Sequence, residues 1–164
     1  MNFIIREMNY NDLTASSELS KKIRISLWKK YDHAVYPRKY LDEELKLYEP
    51  NILRKFVEDE DKYAFVAENN GKIIGVAVGK ITEGVSDLSW IAVDPQWQGK
   101  GIGKKLLEII TNHSREKNAH KIIAYTSPSL IPTIAFYLRT GFIPECYLRK
   151  HWKKLDFIIM SKFI

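Results

Sequence analysis

Apolar positions in the first sixty residues recur mainly at helical spacing. A short apolar run at residues 3–6 predicts a first strand, and apolar side chains at every fourth position from Leu19 to Leu27 predict a helix. Pro37 is placed to begin a second helix, which Pro50 is expected to kink or divide. The amino-terminal part is therefore predicted to fold as one strand followed by two irregular helices.

The remaining residues alternate in the manner of strands, with turns marked by glycine, asparagine and proline. Asn70-Gly71 and Gly84 are placed to reverse the chain between antiparallel strands, and Pro95 ends the third strand of this series. In order, the predicted elements are strands at 63–68, 73–81 and 85–93, a helix around Leu106, a strand at 121–126, a helix at 132–140, and strands at 145–150 and 155–161. This order predicts an α+β fold, with a mixed, mostly antiparallel twisted sheet of about six to seven strands and about four flanking helices.

The length of the chain favours a single domain. Its 164 residues contain no linker-like or repeated segment, so residues 1–164 are expected to form one domain with one active site. The amino terminus has only a short apolar run, which predicts neither a signal peptide nor a membrane span. We therefore expect a soluble protein with no membrane partner.

The cysteine and histidine content argues against a disulfide and a metal site. The single cysteine, Cys146, cannot form an intramolecular disulfide, so a reducing, cytoplasmic setting is expected, with the thiol buried on a strand as a small apolar group. The four histidines show no ligand spacing, so we expect no metal site.

The charge balance is basic, with a formal net charge of +6. Such an excess is typical of chains that bind nucleic acid or a polyanionic cofactor, and also of lysine-rich surfaces. The densest basic run is 149–154, which contains Trp152. We interpret it as a solvated hairpin and expect no nucleic-acid partner, because the sequence contains no recognised nucleic-acid-binding motif.

A Gly-rich stretch between a predicted strand and a predicted helix is the most specific signal. It consists of Gln98, Gly99, Lys100, Gly101, Ile102 and Gly103, followed by Lys104. Glycines let the backbone approach a bulky anion, and the first N–H groups of the helix supply donors, so the stretch predicts a pyrophosphate cradle. A Walker loop is excluded because no Gly-Lys-Ser/Thr ending is present, and the dinucleotide fingerprint would need glycine at Lys104. A turn that binds no ligand is the alternative.

Two motifs resemble the GNAT superfamily of acetyl-CoA-dependent N-acetyltransferases. Gln98, Gly101 and Gly103 match its Arg/Gln-x-x-Gly-x-Gly/Ala signature, and residues 135–142, Ala-Phe-Tyr-Leu-Arg-Thr-Gly-Phe, match its FYxxxGF segment. The likeness is close over roughly residues 60–145. It implies a GNAT-like sheet with a splayed parallel pair of strands, and transfer of acetyl from acetyl-CoA to an amine.

The resemblance also implies which residues contact the cofactor. Backbone groups of the strand before the Gly-rich stretch would pair with the pantetheine arm, namely those of Ile91, Ala92 and Val93. Leu130 stands where many members of the superfamily have an asparagine that contacts the cofactor. Ser127 or Ser129 would replace that contact.

Catalytic roles follow from the same resemblance. Tyr137 matches the tyrosine that protonates the departing thiolate, and would act as a general acid. Asp87 lies where some members have a glutamate base, and would accept the amine proton directly or through water. Ser89, Glu83 or water alone are the alternatives. Structural roles for Tyr137 and Asp87 also remain open.

The acceptor is expected to bind between the first two helices and the strand end that holds Asp87 and Ser89. The candidate residues in the first segment, 28–48, are Trp28, Tyr31, Tyr36 and Glu44. Rings and carboxylates of this kind bind cationic amines, although they also line cores and solvated helix faces. The acceptor could be a protein amino terminus, a lysine, a polyamine or another small amine. A non-catalytic acyl-CoA-binding sensor or scaffold is the alternative function, and a homodimer is possible.

Overall fold

The computed structural model describes residues 2–164, which form one mixed sheet flanked by helices. Its strands are β1 (Ile4–Glu7), β2 (Lys62–Asn69), β3 (Lys72–Thr82), β4 (Val85–Val93), β5 (Lys121–Thr126), β6 (Ile143–Trp152) and β7 (Leu155–Phe163). Its α-helices are α1 (Leu13–Leu27), α2 (Arg38–Leu45), α3 (Pro50–Glu58), α4 (Ile102–Glu116) and α5 (Ile131–Arg139). The described residues therefore contain seven strands and five helices, which confirms the predicted fold class.

The sheet has the strand order β1-β2-β3-β4-β5-β7-β6. All neighbouring strands are antiparallel except β4 and β5, whose parallel pairing runs only from Val85 opposite Lys121 to Asp87 opposite Ile123. The two strands separate beyond Asp87, so the parallel pair is splayed as expected. A cleft opens between β4 and β5 on the carboxyl side of this last pair.

A β-bulge in β4 coincides with the separation. On β3, Val78 lies opposite Trp90 and the next residue, Gly79, lies opposite Leu88, so Ser89 is the extra residue in β4. A bulge leaves one residue unpaired and bends its strand. The bend turns the carboxyl half of β4 away from β5.

Each face of the sheet carries its own apolar cluster. On one face, Leu106 and Ile110 of α4 pack with Tyr137 of α5 and Leu88 of β4. On the other face, α1 and α3 pack on residues of β2, β3 and β4 that include Ala92. The carboxyl half of β4 is therefore clamped by helices on both sides, which fixes the wall of the cleft.

Pro50 divides the second helical region, which is one of the two outcomes expected, so that α2 ends at Leu45 and α3 begins at Pro50 itself. This adds a fifth helix to the four expected. Cys146 is exposed rather than buried, because β6 is an edge strand with solvent-exposed residues along most of its length. No helix within residues 2–164 is long and apolar enough to cross a bilayer.

Candidate active site

Asp87 lies at the last paired position before the cleft opens. Burial raises the pKa of its carboxyl, while Lys80, opposite on β3, lowers that pKa by a smaller amount. A carboxyl whose pKa is raised is a stronger base in its ionised form, as a general base requires. Ser89, the bulge residue, is exposed, and Glu83 is exposed in the β3–β4 turn with a φ of +51°.

The Gly-rich stretch forms a tight turn at the other end of β4. Gly99 and Gly101 have φ values of +74° and +82°, a left-handed conformation that side chains with a Cβ rarely adopt. The Gln98 side chain closes the turn, since its Nε2 donates to the Val93 carbonyl at 3.1 Å. Gly101 is followed directly by α4, whose amino terminus has no side-chain cap. The amides of Ile102 and its successors are thus presented to an incoming anion.

The glycines of the turn differ in how much room a side chain would have at each position. A Cβ on Gly99 or Gly101 would meet nothing within 4 Å, whereas a Cβ on Gly103 would lie 3.0 Å from the Phe136 ring. Gly103 therefore allows the start of α4 to pack against α5. Lys100 places its Nζ 4.6 Å from the centroid of the Trp97 ring, and Lys104 is exposed. These cations add to the positive potential at the turn.

Tyr137 is 4% exposed and packs between Phe136 and Phe142, with a centroid distance of 5.0 Å to the latter ring. Burial raises the pKa of its phenol far above the usual value, and the nearby Asp87 carboxyl raises that pKa further. Tyr137 is therefore protonated at neutral pH. The two predicted catalytic residues, from β4 and α5, lie close enough for the Asp87 carboxyl to affect the Tyr137 phenol.

The predicted acceptor residues occupy different environments. Tyr36 is buried, and Trp28 is half-buried, with its Nε1 donating to the Tyr36 carbonyl at 2.6 Å. Tyr31 is 42% exposed. Glu44 is half-buried, and its Oε1 accepts from Arg24 Nε at 2.8 Å. Tyr36 and Glu44 face a common cavity, whereas Trp28 and Tyr31 do not line it.

A buried polar cluster joins the amino-terminal helices to the β5–α5 loop. Asp32 has no solvent exposure; its Oδ2 accepts from Arg24 Nη2 at 2.9 Å, and its Oδ1 accepts from the hydroxyls of Ser127 and Ser129. Ser127 is thus turned towards Asp32 rather than towards the Gly-rich turn. This cluster was not predicted from the sequence. Arg24 next to the core residue Ile23 in α1 was the available signal, because a charged residue on that face requires a buried partner.

A cavity of about 350 Å³, here called the hairpin cavity, lies beside this cluster. Its walls come from the α1–α2 region, the end of β5 and the β6–β7 hairpin, and are formed by Arg24, Tyr36, Glu44, Leu47, Tyr125, Thr126, Ser127, Leu130, His151, Trp152 and Phe157. The basic run 149–154 is the tip of this hairpin. Lys153 of the tip contacts the Tyr40 ring and forms an ion pair with Glu43 of α2.

Comparisons with known proteins agree with this architecture. The glucosamine 6-phosphate N-acetyltransferase of Trypanosoma brucei brucei is 33% identical over 85 residues, 48% of this chain and 56% of that protein. The mycothiol acetyltransferase of Thermomonospora curvata is 30% identical over 79 residues, 48% of this chain but only 27% of that protein. The PaiA N-acetyltransferase of Thermoplasma acidophilum, solved with coenzyme A, matches the fold with a TM-score of 0.82 over the whole of both chains, at 21% identity.

The model of the acetyltransferase (GNAT) family matches residues 23–142, which include the cleft, the Gly-rich turn and Tyr137. This is well over half of the chain. The chain therefore belongs to the acetyltransferase (GNAT) family.

Proposed function

We propose that residues 1–164 form a single N-acetyltransferase domain, which transfers acetyl from acetyl-CoA to a primary amine by direct attack while both are bound. One observation carries the proposal: the half-buried Asp87, at the point where β4 and β5 separate, lies close enough to the buried, protonated Tyr137 to raise the pKa of its phenol. A cleft that only held the cofactor would need neither a proton donor nor a carboxyl with a raised pKa.

Different residues around the cleft would bind the pyrophosphate and the pantetheine arm of acetyl-CoA. The uncapped amides from Ile102 to Lys104, with the turn from Gln98 to Gly101, would hold the pyrophosphate. Since β5 has separated from β4, backbone groups of Ile91, Ala92 and Val93 can pair with the pantetheine arm. Ser127 would contact the arm through an oxygen lone pair, because its hydrogen is donated to Asp32. When bound, acetyl-CoA supplies an acetyl group activated as a thioester.

The residues of this chain would then move two protons. Asp87 accepts one from the ammonium group of the acceptor, directly or through water, which frees the nitrogen lone pair for attack. Tyr137 Oη would donate the other to the departing sulfur, and the second proton that the nitrogen loses as the amide forms would restore the phenol. Asp87 is favoured over Ser89 and Glu83 because it alone of the three combines burial with proximity to Tyr137.

A panel assay tests the function. We expect acetyl-CoA-dependent release of free thiol with at least one amine among peptide amino termini, lysine, amino sugars and short diamines. Acetylated product should be formed in equal amount. If coenzyme A binds but no amine in the panel releases thiol, the chain is an acyl-CoA-binding module and the catalytic proposal is wrong.

The raised pKa of Asp87 predicts a specific pH profile. Below this pKa the carboxyl is protonated and cannot accept a proton, so kcat/KM should rise as pH increases through it. Asp87→Asn should lower kcat/KM by about ten- to a hundredfold at neutral pH and abolish this limb of the profile. Glu83→Gln is the matched control and should keep it. If the pH profile of Asp87→Asn is unchanged, Ser89 or water is the general base that accepts the proton of the amine.

We infer that acetyl-CoA and the amine are the partners of the reaction. The contacts of Lys153 with Tyr40 and Glu43 support a structural role for the basic hairpin instead of nucleic-acid binding.

The exposed edge strand β6 offers a surface on which a second copy could pair, in keeping with a homodimer. The free thiol of Cys146 is in keeping with a reducing cytoplasm.

A further inference from the structure

We infer that the hairpin cavity binds a second positively charged group of the acceptor, so that diamines are preferred to monoamines of the same length. This inference rests on the proposed function and specifies its substrate class. The cavity is next to the reaction cleft, because Thr126 and Ser127 of its wall continue β5, the strand that separates from β4. An acceptor that reaches from the cleft past the end of β5 would place its far end in the cavity.

The buried charges beside the cavity sum to a negative value. Arg24 is bound by two carboxylates, those of Asp32 at 2.9 Å and Glu44 at 2.8 Å. One guanidinium against two carboxylates leaves one negative charge in excess. The cavity is therefore acidic in a chain whose overall net charge is +6.

Glu44 holds the uncompensated part of that charge. Its Oε1 accepts hydrogen bonds from Arg24 Nε and from the Tyr48 hydroxyl, at 2.8 and 2.9 Å. Its Oε2 is buried and has no hydrogen-bond partner among the described residues. A buried carboxylate oxygen without a donor is costly, and an ammonium group of a ligand would supply the missing hydrogen bond.

Aromatic rings line much of the remaining wall. Tyr36 and Trp152 lie with ring centroids 6.3 Å apart, and Tyr125 and Phe157 complete the aromatic surface. The faces of such rings attract cations. Tyr36 already shows this behaviour, because the Arg24 guanidinium lies 4.8 Å from its ring centroid.

The other polar groups near the cavity fit the same ligand. His151 stacks on Tyr125, and Lys153 of the hairpin tip lies 4.6 Å from the centroid of the Trp152 ring, where its charge is paired with Glu43. Arg24 Nη1 and Thr126 Oγ1 are also buried without a partner. A carboxylate at Arg24 Nη1 would be the third acid around one guanidinium, so an amino acid is disfavoured, whereas a cation meets the charge excess.

Calorimetry of the protein saturated with coenzyme A tests the inference without requiring turnover. The probes are butane-1,4-diamine, butan-1-amine and 4-aminobutanoate, which share a four-carbon chain and differ at the far end. We expect the diamine to bind at least about tenfold more tightly than butan-1-amine, and 4-aminobutanoate to bind most weakly. Equal affinities of the two amines, or tightest binding of 4-aminobutanoate, would overturn the inference.

Paired variants identify the residue responsible. Glu44→Gln should remove the preference for the diamine over butan-1-amine. Asp42→Asn, on the same helix but exposed and paired with Arg38, should keep the preference. A preference that survives in folded Glu44→Gln protein would also overturn the assignment. If no amine releases thiol while the diamine preference is measured, the proposed function fails and the cavity assignment stands.

Discussion

Replacing Tyr137 by phenylalanine is expected to lower kcat by about ten- to a thousandfold, with little change in the dissociation constant of coenzyme A. Burial and the neighbouring Asp87 keep the phenol protonated, so it holds a proton to donate as the carbon–sulfur bond breaks. Because a thiolate is a weaker base than a phenolate, this transfer depends on the phenol regaining the proton that the nitrogen loses as the amide forms. The ring lies between Phe136 and Phe142 and should pack unchanged in the variant. Steady-state kinetics and calorimetry measure the two quantities separately.

Tyr63→Phe provides a matched control for this loss of a buried hydroxyl. Tyr63 is also almost fully buried, and its hydroxyl bonds to Ser86 on the sheet. We expect this variant to lose some stability and to retain most of its kcat. If Tyr137→Phe turns over as fast as the unmodified enzyme across the pH range, then water or another group protonates the sulfur and Tyr137 serves only the core.

The second large effect is expected for Gly101→Val, which should weaken acetyl-CoA binding by about a hundredfold or more. A valine cannot adopt a φ of +82° without strain, so the turn that presents the first amides of α4 would be remodelled. Losing two charge-assisted hydrogen bonds of roughly 1.5–3 kcal/mol each accounts for such a change. Calorimetric titration with coenzyme A gives the affinity directly.

Gly71→Val controls for the strain itself. Gly71 has a φ of +77° in the β2–β3 turn, and a Cβ there would meet nothing within 4 Å, as at Gly101. Both variants should lose a similar amount of thermal stability, but only Gly101→Val should lose cofactor affinity. Equal affinities for coenzyme A in the two variants would place the pyrophosphate away from the Gly-rich turn.

Local patterns were sufficient for most of the fold. The strand predicted at 121–126 is observed as β5 at the same residues, since apolar side chains and flanking turn signals determine such an element locally. The resemblance to the superfamily supplied the splay of the parallel pair, which depends on pairing between distant strands. Pro50 shows the limit of local signals, because a proline that bends a helix and one that starts a new helix look alike in sequence.

The candidate site was only partly predictable. The glycine spacing and the Phe-Tyr motif identified the turn and Tyr137, whereas the Arg24–Asp32–Glu44 cluster depends on contacts between residues far apart in sequence, such as Asp32 with Ser127. Aromatic spacing in the segment 28–48 could not separate buried Tyr36 from exposed Tyr31. That distinction arises from the β6–β7 hairpin, whose Trp152 packs on Tyr36.

The contact between Gly103 and Phe136 ties two distant parts of the site together. Gly103 lies in the first turn of α4, and Phe136 precedes Tyr137 in α5, so the bare Cα of one helix rests against the other. This contact therefore helps to fix the distance between the first amides of α4 and the Tyr137 phenol. In the proposed complex, with the pyrophosphate anchored at the turn, only a carrier arm that matches this distance would bring its sulfur to Tyr137.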